Sequence, residues 1–97
     1  MIKSGMGYNI IYDSSTVLKK DIQSLLLNAN LAFKIKTKIE EFSRDPLGFL
    51  WDLRKLQPKE NNLYRIRIWE HRVILSIDFG NKIIIVHRIG LRKDVYK

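Results

Sequence analysis

The residues in this chain best suited to chemistry are three arginines set among apolar side chains in YRIRIWEHRVIL, residues 64–75. Arg65, Arg67 and Arg72 fall within eight positions. The guanidinium is a planar fork of donors that matches a phosphate. It is always protonated, so it stabilises negative charge but cannot serve as a base. Trp69 nearby and Tyr96 near the C-terminus could stack on a base exposed in single-stranded nucleic acid. Of the two histidines, His71 sits in a turn beside Glu70 and Arg72 and is the better candidate for moving a proton. His87 alternates with Ile83 and Ile85 and reads as a packed strand histidine. No third ligand stands at metal-binding spacing, and the chain has no glycine-rich phosphate loop and no serine elbow.

Strand alternation decides whether the arginines converge. Over 63–69, Tyr64, Ile66 and Ile68 share one face, and Leu63, Arg65, Arg67 and Trp69 share the other. In the next segment Val73, Leu75 and Ile77 alternate with Arg72, Ile74 and Ser76. If the aliphatic set is buried, the three arginines emerge together, with no acidic residue on that face save Glu70 in the turn. Like charges on neighbouring strands repel. One arginine there would be an ordinary surface residue with its stem laid over the sheet. Three together, joined by Arg92 and Tyr96 from the tail, point to an anion site, and so to RNA or another polyanion.

The elements that must position these residues can be read along the chain. GYNIIYD (7–13) is rich in β-formers and predicts a strand. SSTVLKKDIQSLLLNAN then carries Leu18, Ile22, Leu25 and Leu26 at helical spacing, with Ser14 or Ser15 as N-cap. After Asn28–Asn30 a second helix spans LAFKIKTKIEEFSR, with Ala32, Ile35, Ile39 and Phe42 as its buried stripe. Pro46 stops it at Asp45. FLWDLRKL (49–56) is ambiguous between a helical turn and an irregular segment. Three strands follow, LYRIRIW, RVILSID and KIIIVHRI, joined by turns at WEH and FGN, where Gly80 and Asn81 tolerate positive φ. The expected fold is α+β, in the order β-α-α-β-β-β: an antiparallel sheet with a helical hairpin packed on one face and the other face open.

Composition sets the outer bounds. The 97 residues suffice for a single domain, 1–97, with one core. The net charge of +8 favours an anionic partner: nucleic acid, an acidic protein or a membrane surface. Its distribution narrows this. Residues 1–53 hold 7 Lys and Arg against 6 Asp and Glu, whereas residues 54–97 hold 11 against 4. The excess therefore belongs to the half that carries the arginines, interleaved with Ile, Val and Tyr as in a folded basic face. With no cysteine, disulfides and thiol chemistry are excluded. No run approaches transmembrane length, and no apolar stretch near the N-terminus is long enough for a signal peptide, so a soluble cytoplasmic protein is expected.

The order and spacing of LRKL (53–56), LYRIRIWEHRVIL (63–75) and IGLRKDVY (89–96) resemble the RelE/ParE superfamily of toxin–antitoxin toxins over essentially the whole domain. The resemblance is to the RelE branch, and WEHR is similar to the EHR turn of YoeB-like members. It implies a ribosome-dependent endoribonuclease that cuts mRNA without a metal or other cofactor, the ribose 2′-hydroxyl attacking the adjacent phosphate. It implies that Arg65 and Arg67 contact the RNA and that Arg72 stabilises the pentacoordinate phosphate. Arg92 would support the leaving group, and Tyr96 would stack on or orient the substrate. Lys55, Trp69, His71 and Lys93 are expected as further substrate contacts. The implied partners are a cognate antitoxin, in a hetero-oligomer, and mRNA on the ribosome with contacts to ribosomal RNA; no membrane is involved. Where some relatives carry lysines this chain has Arg65 and Arg67, and Leu91 stands where a basic residue or histidine is common. The groups that move protons are left open. The alternatives are a ParE-like gyrase poison with no nuclease activity and a catalytically inactive RNA-binding module.

Overall fold

The computed structural model describes residues 7–48, 53–56 and 63–91. The elements, in chain order, are β1 (Asn9–Tyr12), α1 (Thr16–Leu25), α2 (Ala29–Arg44), β2 (Arg54–Lys55), β3 (Leu63–Ile68), β4 (His71–Asp78) and β5 (Ile83–Leu91). They form one five-stranded sheet in the order β1-β5-β4-β3-β2, with both helices on the same face.

Each helix starts at a side-chain cap. The Ser15 hydroxyl accepts from the Leu18 amide at 3.2 Å, and the Asn28 side chain accepts from the Leu31 amide at 3.1 Å. Asn28 thus begins α2 rather than merely interrupting a pattern. The expected stripes are buried as read at Leu18, Ile35, Ile39 and Phe42. Leu26 departs from the expectation: it is the C-cap of α1 and stays 58% exposed. Across from the helices lie Ile66 and Ile68, Val73, Leu75 and Ile77, and Ile84, Val86 and Ile89, which close the core.

Two features of the sheet differ from the expected antiparallel meander. First, β1 runs parallel to β5, with Ile10 paired to Ile84 and Tyr12 to Val86. Ile83–Val86 is a continuous aliphatic run of the kind found in strands flanked on both sides, and β1 supplies the second neighbour. Second, two residues of the ambiguous segment, Arg54 and Lys55, form an edge strand on β3; positions 49–52 of that segment lie outside the described residues.

The turns also place their strain elsewhere. Ile68 pairs with His71, which leaves Trp69 and Glu70 as a two-residue hairpin loop with Trp69 at φ 55°. In the next hairpin the left-handed residue is Lys82, at φ 57°, rather than Gly80 or Asn81. There Asp78 carries the turn, accepting from the Asn81 amide at 3.0 Å and from its side chain at 2.8 Å.

The contact that sets the course of β5 is made by Asp21 of α1. Its carboxylate accepts from Arg88 Nε at 2.7 Å, from Arg88 Nη2 at 3.3 Å and from the Ile89 amide at 3.0 Å. β1 has ended by this point, so the Ile89 amide lies on an edge without a strand partner, and Asp21 satisfies it. The side chains of both Asp21 and Arg88 are largely shielded from solvent. Removing one member strands the other. Asp21→Ala is expected to destabilise the fold by on the order of 2 kcal/mol or more, read as a lower midpoint in urea denaturation.

Candidate functional site

The arginine face is built by register. Arg67 of β3 lies directly opposite Arg72 of β4, and Arg65 lies directly opposite Arg54 of β2. Ile66, Ile68, Val73 and Leu75 are all buried on the helix side, so these arginines stand on the open side of the sheet. Two pairs of like charges therefore face one another across strands, an arrangement that is unfavourable in isolation. Among the described residues neither Arg67 nor Arg72 has a hydrogen-bond or ion-pair partner, whereas Arg54 and Arg65 each have an interaction of their own. Between the rows, Ile74 is 7% exposed although it points away from the helices, which gives this face an apolar floor. Arg72 pairs on its other side with Gly90, which contributes no side chain.

A bulge in β5 makes that last pairing possible. Leu75 pairs with Val86 but Ile74 pairs with Arg88, which leaves His87 as the extra residue. The parity of the strand changes there. Ile84 and Val86 are buried before the bulge and Ile89 after it, so His87 and Gly90 both fall on the open face.

His87 is accordingly no packed core histidine. Its Nδ1 lies 3.1 Å from Asp13 Oδ2 and its Nε2 lies 3.0 Å from Ser76 Oγ. A carboxylate only accepts, so Nδ1 carries the proton, and in the neutral ring Nε2 is left to accept from the Ser76 hydroxyl. Asp13 is itself fixed from two sides. Its amide donates to the Val86 carbonyl at 2.9 Å, and its second carboxylate oxygen accepts from the Ser15 amide at 3.2 Å. The His87 hydrogen bond is the largest of the effects that hold the Asp13 carboxyl below the usual carboxylate range.

The other expected residues divide. Lys55 pairs with Tyr64, whose ring belongs to the helix-side cluster, so Lys55 does not join the arginine row; Arg54 takes that position. Trp69 is on the surface at the tip of the hairpin. His71 pairs with Ile68 and Leu91 and lines a cleft with Asp21, Asn28 and Leu31, on the face opposite Arg72. Burial lowers its pKa, against a smaller raising effect of Glu70, and its Nδ1 is buried without a partner among the described residues. His71 is thus neutral near pH 7 and turned away from the arginines. The remaining expected positions, Arg92, Lys93 and Tyr96, lie outside the described residues. Arg54 and the Asp13–His87 pair were missed from sequence. The parity of His87 was visible there, but its face and its partner 74 residues away were not.

The layout of two helices on one side of a five-stranded sheet is the RelE-like fold. Comparison with models of protein families and with curated protein sequences finds no match. Comparison with solved structures does. The toxin–antitoxin complex RelBE2 of Mycobacterium tuberculosis superposes with a TM-score of 0.66 at 20% identity, over 89% of this chain and 99% of that one. The archaeal RelE–RelB complex of Pyrococcus horikoshii gives 0.64 at 24%, over 93% and 100%. The YoeB–YefM complex of Staphylococcus aureus gives 0.65 at 20%, over 88% and 97%.

Two outcomes follow from this electrostatic layout. Arg67→Thr, which removes one of two opposed charges and keeps a β-former, is expected to raise stability by up to about 1 kcal/mol in low salt. The gain should shrink as salt screens the pair, which urea melts at two ionic strengths will measure. For His71 the folded pKa lies below the unfolded value of about 6.5. Its contribution to stability is therefore present above that value and lost as pH falls below it. His71→Leu should show a shallower fall in stability on acidification through this range.

Proposed function

We propose that this chain is the toxin of a type II toxin–antitoxin pair and that it cleaves mRNA on the ribosome. The observation that carries the reading is the directly opposed pair Arg67 and Arg72, unpartnered among the described residues, on the open face of a fold shared with RelE and YoeB toxins. Such a pair lowers the stability of the apo protein and is compensated when a phosphodiester lies between the two charges.

In this reading Arg65 and Arg67 hold the phosphates on either side of the cut, and Arg72 neutralises the charge that accumulates as the 2′-oxygen attacks. Arg92 supports the departing oxygen, and Tyr96 stacks on the substrate. Because arginines do not exchange protons, their whole contribution is electrostatic, and it is largest in the transition state, where the phosphorus carries the most negative charge. No metal enters this scheme, which follows the resemblance. The toxin acts in the cytoplasm and is held inactive in a hetero-oligomer by an acidic cognate antitoxin that covers the basic face.

The test is to add the purified protein to ribosomes programmed with a defined mRNA and map the new 5′ ends. Cleavage in the decoding site is expected. Arg72→Ala should reduce it by about 10²–10³-fold with a melting temperature no lower than that of the wild type. Intact mRNA with ribosome binding retained would favour an inactive RNA-binding module. Intact mRNA with no ribosome binding would move the reading to a gyrase poison.

A further inference from the structure

The described arginines of this face take no proton, and His71 is on the wrong side of the sheet. We infer that His87, held by Asp13, is the general base of this face and removes the proton from the attacking 2′-hydroxyl. This rests on the reading of the face as an RNA-cleaving site.

The geometry supplies three requirements of a base. The imidazole is in the right tautomer, because the Asp13 carboxylate at 3.1 Å fixes the proton on Nδ1 and leaves the lone pair on Nε2. Nε2 is aimed at a hydroxyl already, that of Ser76 at 3.0 Å, which marks the place a substrate hydroxyl would take. The group is also on the arginine side, since Ser76 alternates with the buried Leu75 and Ile77. From strand spacing and rise, the His87 Cα stands roughly 10 Å from the Cα atoms of both Arg65 and Arg72. An imidazole and a guanidinium extended from positions that far apart meet on one phosphodiester. Gly90, beside Arg72, leaves that space open.

Among the described residues the groups facing the imidazole are few. Asp13 lies beyond the end of β1 and Ser76 on β4, while the next charge across the floor of Ile74 is Arg65 on β3. Arg88, adjacent on β5, is turned to Asp21 of α1 and does not face it. The step is then written in full. Nε2 takes the 2′-hydroxyl proton, and the 2′-oxygen forms a bond to phosphorus. The bond from phosphorus to the 5′-oxygen breaks, and that oxygen leaves with the electron pair and takes a proton from solvent. The products are a 2′,3′-cyclic phosphate and a 5′-hydroxyl. Asp13 touches no reacting atom and is a positioning residue.

The experiment is single-turnover cleavage on programmed ribosomes between about pH 5 and 8, with the melting temperature of each variant in parallel. His87→Gln is expected to lose about 10²-fold or more in rate and the acid limb of the pH–rate profile with it. Asp13→Asn keeps the imidazole and the Ser15 contact but offers an N–H to Nδ1. That moves the ring proton to Nε2, and a comparable loss is expected in a folded protein. It also keeps the test decisive if His87→Gln proves unstable. A His87→Gln protein that cleaves at the wild-type rate, or loses rate uniformly with the acid limb unmoved, overturns the inference. If Arg72→Ala is inactive in the same series, the nuclease reading stands without it. Wild-type protein that leaves mRNA intact overturns both.

Discussion

The open face depends on one irregularity, the extra residue at His87 in β5. A regular strand that buried Ile84 and Val86 would bury Arg88 and Gly90 as well and would turn Ile89 to solvent. The inserted residue shifts the parity by one, so the aliphatic sequence is satisfied on both sides of it. Two carboxylates hold the bulge in place from different elements. Asp13 engages the bulged side chain itself, and Asp21 binds Arg88 and the Ile89 amide just beyond it. Since Asp21 belongs to α1 and Asp13 also engages the first residue before it, the position of the helix and the parity of the strand are fixed together.

A second constraint works against stability. Directly opposed arginines in neighbouring strands are an arrangement a sheet selected only for folding would avoid. The fold tolerates it because the helix-side core is dense and aliphatic, with Leu18, Ile35, Ile39 and Phe42 almost wholly removed from water against three strands. The separation is clean: apolar cohesion is on one side of the sheet and unfavourable charge on the other.

The sequence made the helices and the arginine face legible because both follow short periods. The Leu18 and Ile35–Ile39–Phe42 stripes repeat at helical spacing, and Arg65, Arg67 and Arg72 fall on one side by simple alternation. What it did not reveal came from long-range or irregular geometry. The parallel pairing of β1 with β5 joins residues more than 70 positions apart, and no local pattern encodes it. The bulge has no composition of its own, so the contacts of His87 to Asp13 and Ser76 were not legible while its parity was. The left-handed positions fell to Trp69 and Lys82 because hairpin register, set by the strands, determined which residue had to turn. His71 was placed beside Arg72 by proximity in sequence. Consecutive strand residues point to opposite faces, so that proximity was itself the reason the two are apart.

The two borders of the sheet are unlike each other, and this decides where it can grow. β2 is two residues long, Arg54 and Lys55, both charged and exposed; a border that short and that basic discourages a further strand. At the other side β1 offers four residues with one flank unpaired, and Ile11 and Tyr12 are open to solvent. Among the described residues, any strand added to this sheet, whether from a binding partner or from a second copy in a crowded refolding mixture, therefore meets its most receptive backbone along β1.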